Sequence, residues 1–180
     1  MKKNFLKSLI KGKKKISGRN HHGRITVRRR GGGHKRLYRK INFNFMSSFY
    51  IILSNEYDPN RNSSISIVKC LLTNKFDYVL SIKDASLGFN IESDKKFVNS
   101  ARYSIRDLPP NYLISNVEFK LKKGGQIARS SGTFCKILQK DLKRSLVLIK
   151  LPSSEERYVG LESTATVGAI FNNFFEPTAS

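Results

Sequence analysis

Hydrophobic residues are unevenly distributed along this 180-residue chain. The first forty residues have no sustained apolar period, so nothing there can build a core alone. From residue 41 onward, short apolar runs rich in β-branched and aromatic residues alternate with turn formers such as Asp58-Pro59-Asn60 and Pro109-Pro110. These runs predict strands at residues 48–57, 63–72, 76–82, 89–98, 113–121, 133–140, 145–151 and 156–161. Short strands with such spacing are typical of small β-barrels.

Helical and membrane-spanning patterns contribute little to this sequence. The pattern allows a short helix at residues 153–156 or at residues 165–171. No apolar run approaches the length of a membrane span. Cys70 and Cys135 are too far apart in the chain to suggest a disulfide framework or a metal knuckle. We therefore expect both to be reduced, buried thiols.

Charge changes this picture, because it is concentrated at one end. The chain has 34 Lys and Arg against 13 Asp and Glu, a formal net charge of +21. Sixteen of the 34 basic residues lie within residues 1–40, where there is no acid at all. Such a concentration indicates a polyanionic partner.

The stretch RITVRRRGGGHKRLYRK (residues 24–40) has three interpretations: a nucleotide-binding loop, a solvated basic tail, or an arm that threads through folded RNA. A P-loop needs a different glycine spacing, between a strand and a helix. His21, His22 and His34 have no nearby thiolates or carboxylates that would complete a zinc site. Glycine allows close backbone approach, arginine binds phosphate and base edges, and tyrosine stacks. Their irregular interleaving favours the RNA arm, while the basic tail stays open.

Three ordered stretches carry a family resemblance: SGRNHHGRITVRRRGGGHKRLYRKINF (17–43), YDPNR (57–61) and GGQIARSSGT (124–133). Together they resemble the universal large-subunit ribosomal protein L-two family, over residues 17–173. The resemblance implies an all-β protein with a basic extended N-terminal arm, an OB-type barrel and an SH3-like barrel. The implied boundaries are 1–43 for the arm, 44–103 for the OB-fold barrel, and 104–180 for the SH3-like barrel with a C-terminal tail.

The sequence departs from the family pattern at several places. Ser17 replaces a glycine of the arm motif, Asn42 an acid, Asn111 a glycine and Ser115 a histidine. Asparagine tolerates left-handed backbone, so the change at Asn111 is physically mild. Residues 75–100 match the family only loosely.

The resemblance also implies a function, that of a structural constituent of the large ribosomal subunit. Such a protein binds and stabilises large-subunit rRNA near the peptidyl-transferase region, beside other large-subunit proteins. The implied rRNA-binding residues are Arg19, Asn20, Arg24, Thr26, Arg28, Arg29, Arg30, Gly31, Gly32, Gly33, His34, Lys35, Tyr38, Arg39, Arg61, Lys122, Lys123, Gly124, Gly125, Gln126, Arg129, Ser130 and Ser131. Asp58 and Asn60 are expected to shape their turn instead. We expect no enzymatic activity and no cofactor beyond rRNA-associated Mg²⁺; a free RNA-binding regulator or assembly factor with the same barrels is the alternative.

The end of the chain suggests one further expectation. Family members continue beyond the segment similar to TATVGAIFNN (164–173) with a glycine-rich basic extension, whose patterns this sequence lacks. We expect a separately encoded C-terminal half, docked near residues 171–175. Abundant Lys, Asn, Ile and Phe suggests an AT-rich gene and favours a mitochondrial ribosome, with a plastid or the bacterial cytoplasm as alternatives. No membrane span is expected.

Overall fold

The computed structural model describes residues 4–45, 50–85, 88–89, 97 and 99–172, with backbone only at 4–6 and 88–89. The chain is all-β, as predicted, apart from a short 3-10 helix at Asn4–Leu9. The strands are β1 (Ile10–Gly12), β2 (Leu37–Arg39), β3 (Tyr50–Glu56), β4 (Ile65–Cys70), β5 (Phe76–Leu80), β6 (Gly88–Phe89), β7 (Arg102–Ser104), β8 (Leu113–Ser115), β9 (Val117–Glu118), β10 (Gly125–Ile127), β11 (Cys135–Asp141), β12 (Leu146–Lys150), β13 (Glu156–Gly160) and β14 (Thr164–Val167).

A four-stranded antiparallel sheet in the order β5-β4-β3-β6 forms the first structural unit. Its central strand β4 is buried on both faces, which is why its sequence ISIVKC is almost continuously apolar. Ile65, Ile67 and Tyr78 pack together on one face, and Tyr50, Ile52 and Val68 form a second cluster. The YDPNR motif follows β3 directly, so this sheet fixes its position.

A six-stranded sheet in the order β13-β12-β11-β8-β14-β7 forms the second unit. It surrounds the largest hydrophobic cluster, which includes Ile105, Leu108, Ile114, Ile137 and Ile149, each fully buried. Both cysteines are buried thiols, as expected, and burial raises the pKa of Cys135 to about 11. The β9–β10 ribbon at the side of this sheet carries the GGQIARSSGT motif.

The segment 169–172, after β14, joins the two units. Ile170 packs with Leu80 and Ile82 of the first unit, and the Phe171 backbone amide donates to the carbonyl of Ser81 at 3.0 Å. On the other side, the Gly132 amide donates to the Ile170 carbonyl at 2.9 Å. The short segment therefore ties the first sheet to the GGQIARSSGT loop.

The predicted strands agree with β3, β4, β5, β8, β9, β11, β12 and β13. The helix at 153–156 or 165–171 was wrong: residues 153–155 form a turn before β13, and residues 165–167 belong to β14, whose Ala165 and Val167 pack in the second core. Most of the strand expected at 89–98 lies outside the described residues. Strand β7 crosses the expected boundary at 103/104 and pairs with β14. Within the described part of the chain, no helix is long and apolar enough to cross a membrane.

Candidate RNA-binding interface

The arm returns on itself, which the expectation of an extended arm did not include. Strands β1 and β2 pair antiparallel, with Ile10 opposite Arg39 and Gly12 opposite Leu37. Leu9 and Ile10 pack against the cluster of Ile65, Ile67 and Tyr78, which anchors this ribbon on the first sheet. Residues 13–36 therefore form one large loop, without strands or helices, whose two ends are adjacent.

Local hydrogen bonds shape the first half of this loop. The Asn20 side-chain oxygen accepts from the backbone amides of His22 at 3.1 Å and Arg24 at 2.9 Å, and Arg19 forms a bridge with Ile25. Asparagine favours such turns because its amide oxygen can reach the following backbone. Gly18 has a φ of 69° and lies so close to the Val27 carbonyl that a Cβ would be 2.2 Å from it. These two motif residues position the loop, in addition to any contact they make with RNA.

The three glycines lie opposite the start of the loop. The Lys15 ammonium donates to the carbonyls of Gly32 at 2.6 Å, Gly33 at 2.8 Å and His34 at 3.0 Å. All three glycines have positive φ, which side chains rarely tolerate. Lys15 thus holds the carbonyls of Gly32, Gly33 and His34 together across the loop.

Most of the arm's predicted contact residues are exposed. This set comprises Arg19, Arg24, Thr26, Arg28, Arg29, Arg30, Gly31, Gly32, Gly33, His34, Lys35 and Tyr38. The side chains of Ile16, Ile25 and Val27 are also about half exposed or more, at 68%, 59% and 47%. The arm thus offers cations and apolar surface together, as an RNA-contacting segment does.

The YDPNR turn is organised by a buried carboxylate, as predicted for Asp58. Asp58 is 0% exposed, accepts from the Asn60 amide at 3.0 Å and pairs with the Arg61 Nε at 2.6 Å. Burial alone would raise the pKa of Asp58, but the hydrogen bonds from Asn60 and Arg61 lower it overall. The ionised form of Asp58 therefore holds the turn.

The same turn binds the arm. The Asn60 Nδ2 donates to the Leu37 carbonyl at 2.7 Å, the Arg36 Nη1 donates to the Pro59 carbonyl at 2.9 Å, and Arg39 lies 3.8 Å from Asp58. Arg39 and Arg61, both predicted to bind rRNA, thus share a buried carboxylate, and their side chains are each 19% exposed. Their first role in the structure is to join the arm to the first sheet.

The loop before β10 is fixed from inside the protein. Glu118 accepts from the Gly124 amide at 3.1 Å, and the Gly125 amide donates to the Phe43 carbonyl at 3.1 Å. Burial would raise the pKa of Glu118, but hydrogen bonds from Thr164 and Gly124 lower it overall. Gly124 and Gly125, both predicted to bind rRNA, are buried with their amides already in use.

The remaining predicted residues of the segment 122–131, on both sides of β10, face outward. Lys122, Lys123, Gln126, Arg129 and Ser130 are exposed, and Ser131 is partly exposed. The Arg129 guanidinium lies over the Phe43 ring, 5.1 Å from its centroid. Stacking on an aromatic ring holds a cation in one place without neutralising it. Phe43 thus orders both Arg129 and the backbone of Gly125.

The three motifs meet at one groove of about 660 Å³, here called the junction groove. Its lining residues include Arg36 of the arm, Tyr57, Asn60 and Arg61 of the turn, and Ser131 of the loop. The Ser131 amide donates to the Asn62 side-chain oxygen at 3.4 Å, which links turn and loop directly. Arg36, Tyr57 and Asn62 line the groove but were not among the predicted site residues. The basic run that contains Arg36 and the YDPNR motif that contains Tyr57 were the signals that could have identified those two.

Comparison with known proteins agrees with these features. Residues 6–93 match the family described as Ribosomal Proteins L2, RNA binding N-terminal domain, and residues 99–177 match Ribosomal Proteins L2, C-terminal domain. Relatives named large ribosomal subunit protein uL2 are 42% identical in Orientia tsutsugamushi, over 93% of this chain and 62% of the relative, and 42% identical in Rickettsia typhi, with the same coverage. The chain thus spans about three fifths of the length of these bacterial relatives. It belongs to the ribosomal protein L2 family.

Proposed function

We propose that this chain is a structural, non-enzymatic constituent of the large ribosomal subunit that binds large-subunit rRNA. The observation that carries the proposal is the convergence of all three family motifs on the junction groove. The relatives are named as large-subunit proteins, and the matched N-terminal family is described as RNA-binding.

The charge distribution of the arm supports the same partner. Residues 13–36 contain ten Lys and Arg and no acid. Among the described residues, the ion pairs that involve the arm are confined to Arg39 with Asp58. A phosphate backbone would neutralise the remaining cations and release counterions, which is the main source of affinity in such complexes.

The finer assignments are part of the proposal. The rRNA contacts are the exposed arm residues together with Lys122, Lys123, Gln126, Arg129, Ser130 and Ser131. The binding region lies near the peptidyl-transferase centre, and the setting is a mitochondrial ribosome. The arm, OB-type and SH3-like units correspond to residues 1–43, 44–103 and 104–180.

Sedimentation of ribosomal subunits tests the function. The chain should remain bound to the large subunit at about one copy per particle after a high-salt wash. A free RNA-binding regulator or assembly factor would instead be released by salt or occur only on immature particles.

Mass spectrometry of the same subunits tests the predicted separate C-terminal chain. Failure to find a second polypeptide that carries the family's C-terminal extension would contradict that prediction. Of the predicted docking segment 171–175, residues 173–175 lie outside the described part of the chain, and Asn172 is buried against its own chain.

A further inference from the structure

A second groove, here called the lysine groove, lies beyond the junction groove and contains none of the arm. It measures about 580 Å³, and its lining includes Ser131, Phe134, Lys136, Lys150, Leu151 and Pro152. That volume is in the range of sites that hold small molecules or a nucleotide or two. Ser131 lines both grooves, so the two are adjacent on the surface.

Two lysines of this groove lie next to each other on neighbouring strands. Lys136 on β11 and Lys150 on β12 are direct cross-strand partners. Like charges in that arrangement destabilise a sheet. Lys150 is also the direct cross-strand partner of Glu156 on β13, although Glu156 does not line the groove. Within the described residues, neither lysine has an acidic partner within ion-pair distance. An anion placed between the two ammonium groups would remove the repulsion.

An exposed aromatic ring borders the same groove. Phe134 keeps 43% of its surface exposed, although the next residue in the chain, Cys135, is fully buried. Leu151 and Pro152 add apolar lining. Cations beside an exposed ring suit a nucleic-acid strand whose bases are unstacked, because the base can stack while the backbone meets the charge.

We propose that the lysine groove binds a single-stranded segment of RNA, with a base stacked on Phe134 and backbone phosphate between Lys136 and Lys150. The inference rests on the proposed rRNA-binding function and extends it to residues outside the family motifs. The RNA strand continues from the junction groove past Ser131. The lysine pair then lowers the stability of the free protein and contributes to affinity in the complex.

The stacking step is tested with the full chain and protein-free large-subunit rRNA at one fixed salt concentration. Loss of one stacked base costs roughly 5- to 150-fold in affinity, so Phe134→Ala should fall in that range. Phe134→Tyr keeps the ring and should bind as the wild type does. With rRNA containing 4-thiouridine, the photo-crosslinked peptide should include Phe134. Equal affinity of Phe134→Ala and the wild type would overturn the stacking assignment.

The lysines are tested by the salt dependence of the same binding. Each phosphate that the protein no longer neutralises should flatten the log–log slope by about 0.7. Since the two lysines share one phosphate, the double variant Lys136→Gln/Lys150→Gln should lose that amount of about 0.7, and each single variant should lose part of it. Lys143→Gln is the matched control, since Lys143 is exposed in the turn at the opposite end of the same hairpin. The proposal also requires that Lys136→Gln raise the urea midpoint of the free protein relative to Lys143→Gln. A purely structural lysine would change stability and leave the slope unaltered.

Failure of the inference is distinguishable from failure of the function. If the wild type does not bind large-subunit rRNA, the proposed function itself is wrong and the groove assignment falls with it. If the wild type binds but the Phe134 and lysine variants match the control, the lysine groove is not an RNA site while the function stands. A protein segment seated in the groove of an assembled large subunit would also overturn the inference.

Discussion

Several single residues that are predicted to bind rRNA have positioning roles in the fold, which the sequence alone does not reveal. Of the positions that the motifs predict to bind rRNA, Arg39, Arg61, Gly124 and Gly125 are engaged inside the chain. Their partners come from other parts of the fold, so no spacing rule could reveal them. In contrast, the turn-shaping role of Asp58 could be predicted, because aspartate hydrogen-bonds the backbone two residues ahead.

Removal of the Asp58 charge should be costly. Asp58→Asn leaves two arginines beside a buried, neutral amide, and we expect a loss of about 3 kcal/mol in the free energy of unfolding near neutral pH. The folded-state pKa of Asp58 is below its ordinary 3.8, so its stabilisation is complete above that pH and is lost as pH falls through the folded pKa. The difference between wild type and variant should therefore shrink below pH 3.8 in urea unfolding.

Asp141→Asn is the control for this prediction, because the Asp141–Arg144 pair is largely exposed, at 37% and 79%. Exposed pairs contribute little, so this variant should stay within about 0.5 kcal/mol of the wild type. A similar, small effect for both variants would show that Asp58 is not the anchor of the turn.

Gly125 is expected to tolerate no side chain. A Cβ there would lie 1.9 Å from Asn116 Oδ1 and 2.4 Å from the Asn116 carbonyl oxygen. Gly125→Ala must displace backbone, so we expect a loss of about 2 kcal/mol or more in the free energy of unfolding. Gly12→Ala is the matched control, since no atom lies within 4 Å of that added carbon. Thermal unfolding of both variants compares them directly, and equal midpoints would contradict the tight packing of the loop.

At the level of elements, the long strands were predictable, whereas short strands such as β1 and β2 were not. Strands β3, β4, β11 and β12 have five to seven residues with apolar runs that identify them without any partner. Strands β1 and β2 have three residues each, with sequences IKG and LYR, and exist because they pair with each other and pack on the first sheet. That pairing is a tertiary effect, so the hydrophobic pattern of the arm could not predict that β1 and β2 close the loop at residues 13–36.

The β1–β2 pairing allows the charged loop at residues 13–36 to be deleted without disturbing the strands that hold its ends. Since Gly12 is opposite Leu37, residues 13–36 can be replaced by Asn-Gly, the sequence of a two-residue hairpin turn. Leu9 and Ile10 stay packed, so the free protein should keep its fold by circular dichroism. On the proposed function, the loop neutralises about six phosphates, so its removal should flatten the log–log salt dependence of rRNA binding by about four. An unchanged slope would move the binding surface away from the loop.

On the scale of the whole molecule, two β units from opposite ends of the chain are joined through one small region. Segment 169–172 contacts the first sheet and the GGQIARSSGT loop, and Phe43 contacts that loop from the arm side. The family resemblance predicted two units in this order, whereas the contacts between the units depend on Ile170 and Asn172, and the sequence around these residues does not indicate which part of the chain they contact. The motifs far apart in the chain meet because these contacts hold the units together.

The net charge of +21 leads to salt effects of opposite sign in the free and bound protein. In the free chain, the arm's cations repel one another with one ion pair described to offset them, so added salt should screen the repulsion and raise the melting temperature. In the complex, the same salt competes with rRNA phosphate and weakens binding. From about 50 to about 500 mM salt, which shortens the screening length several-fold, we therefore expect rising thermal stability and falling rRNA affinity. The variant that lacks residues 13–36 has ten fewer positive charges and should show a smaller change in both measurements. If salt lowered the melting temperature of the free wild-type protein, charge repulsion would not limit its stability, and the arm would have to be neutralised within the chain itself.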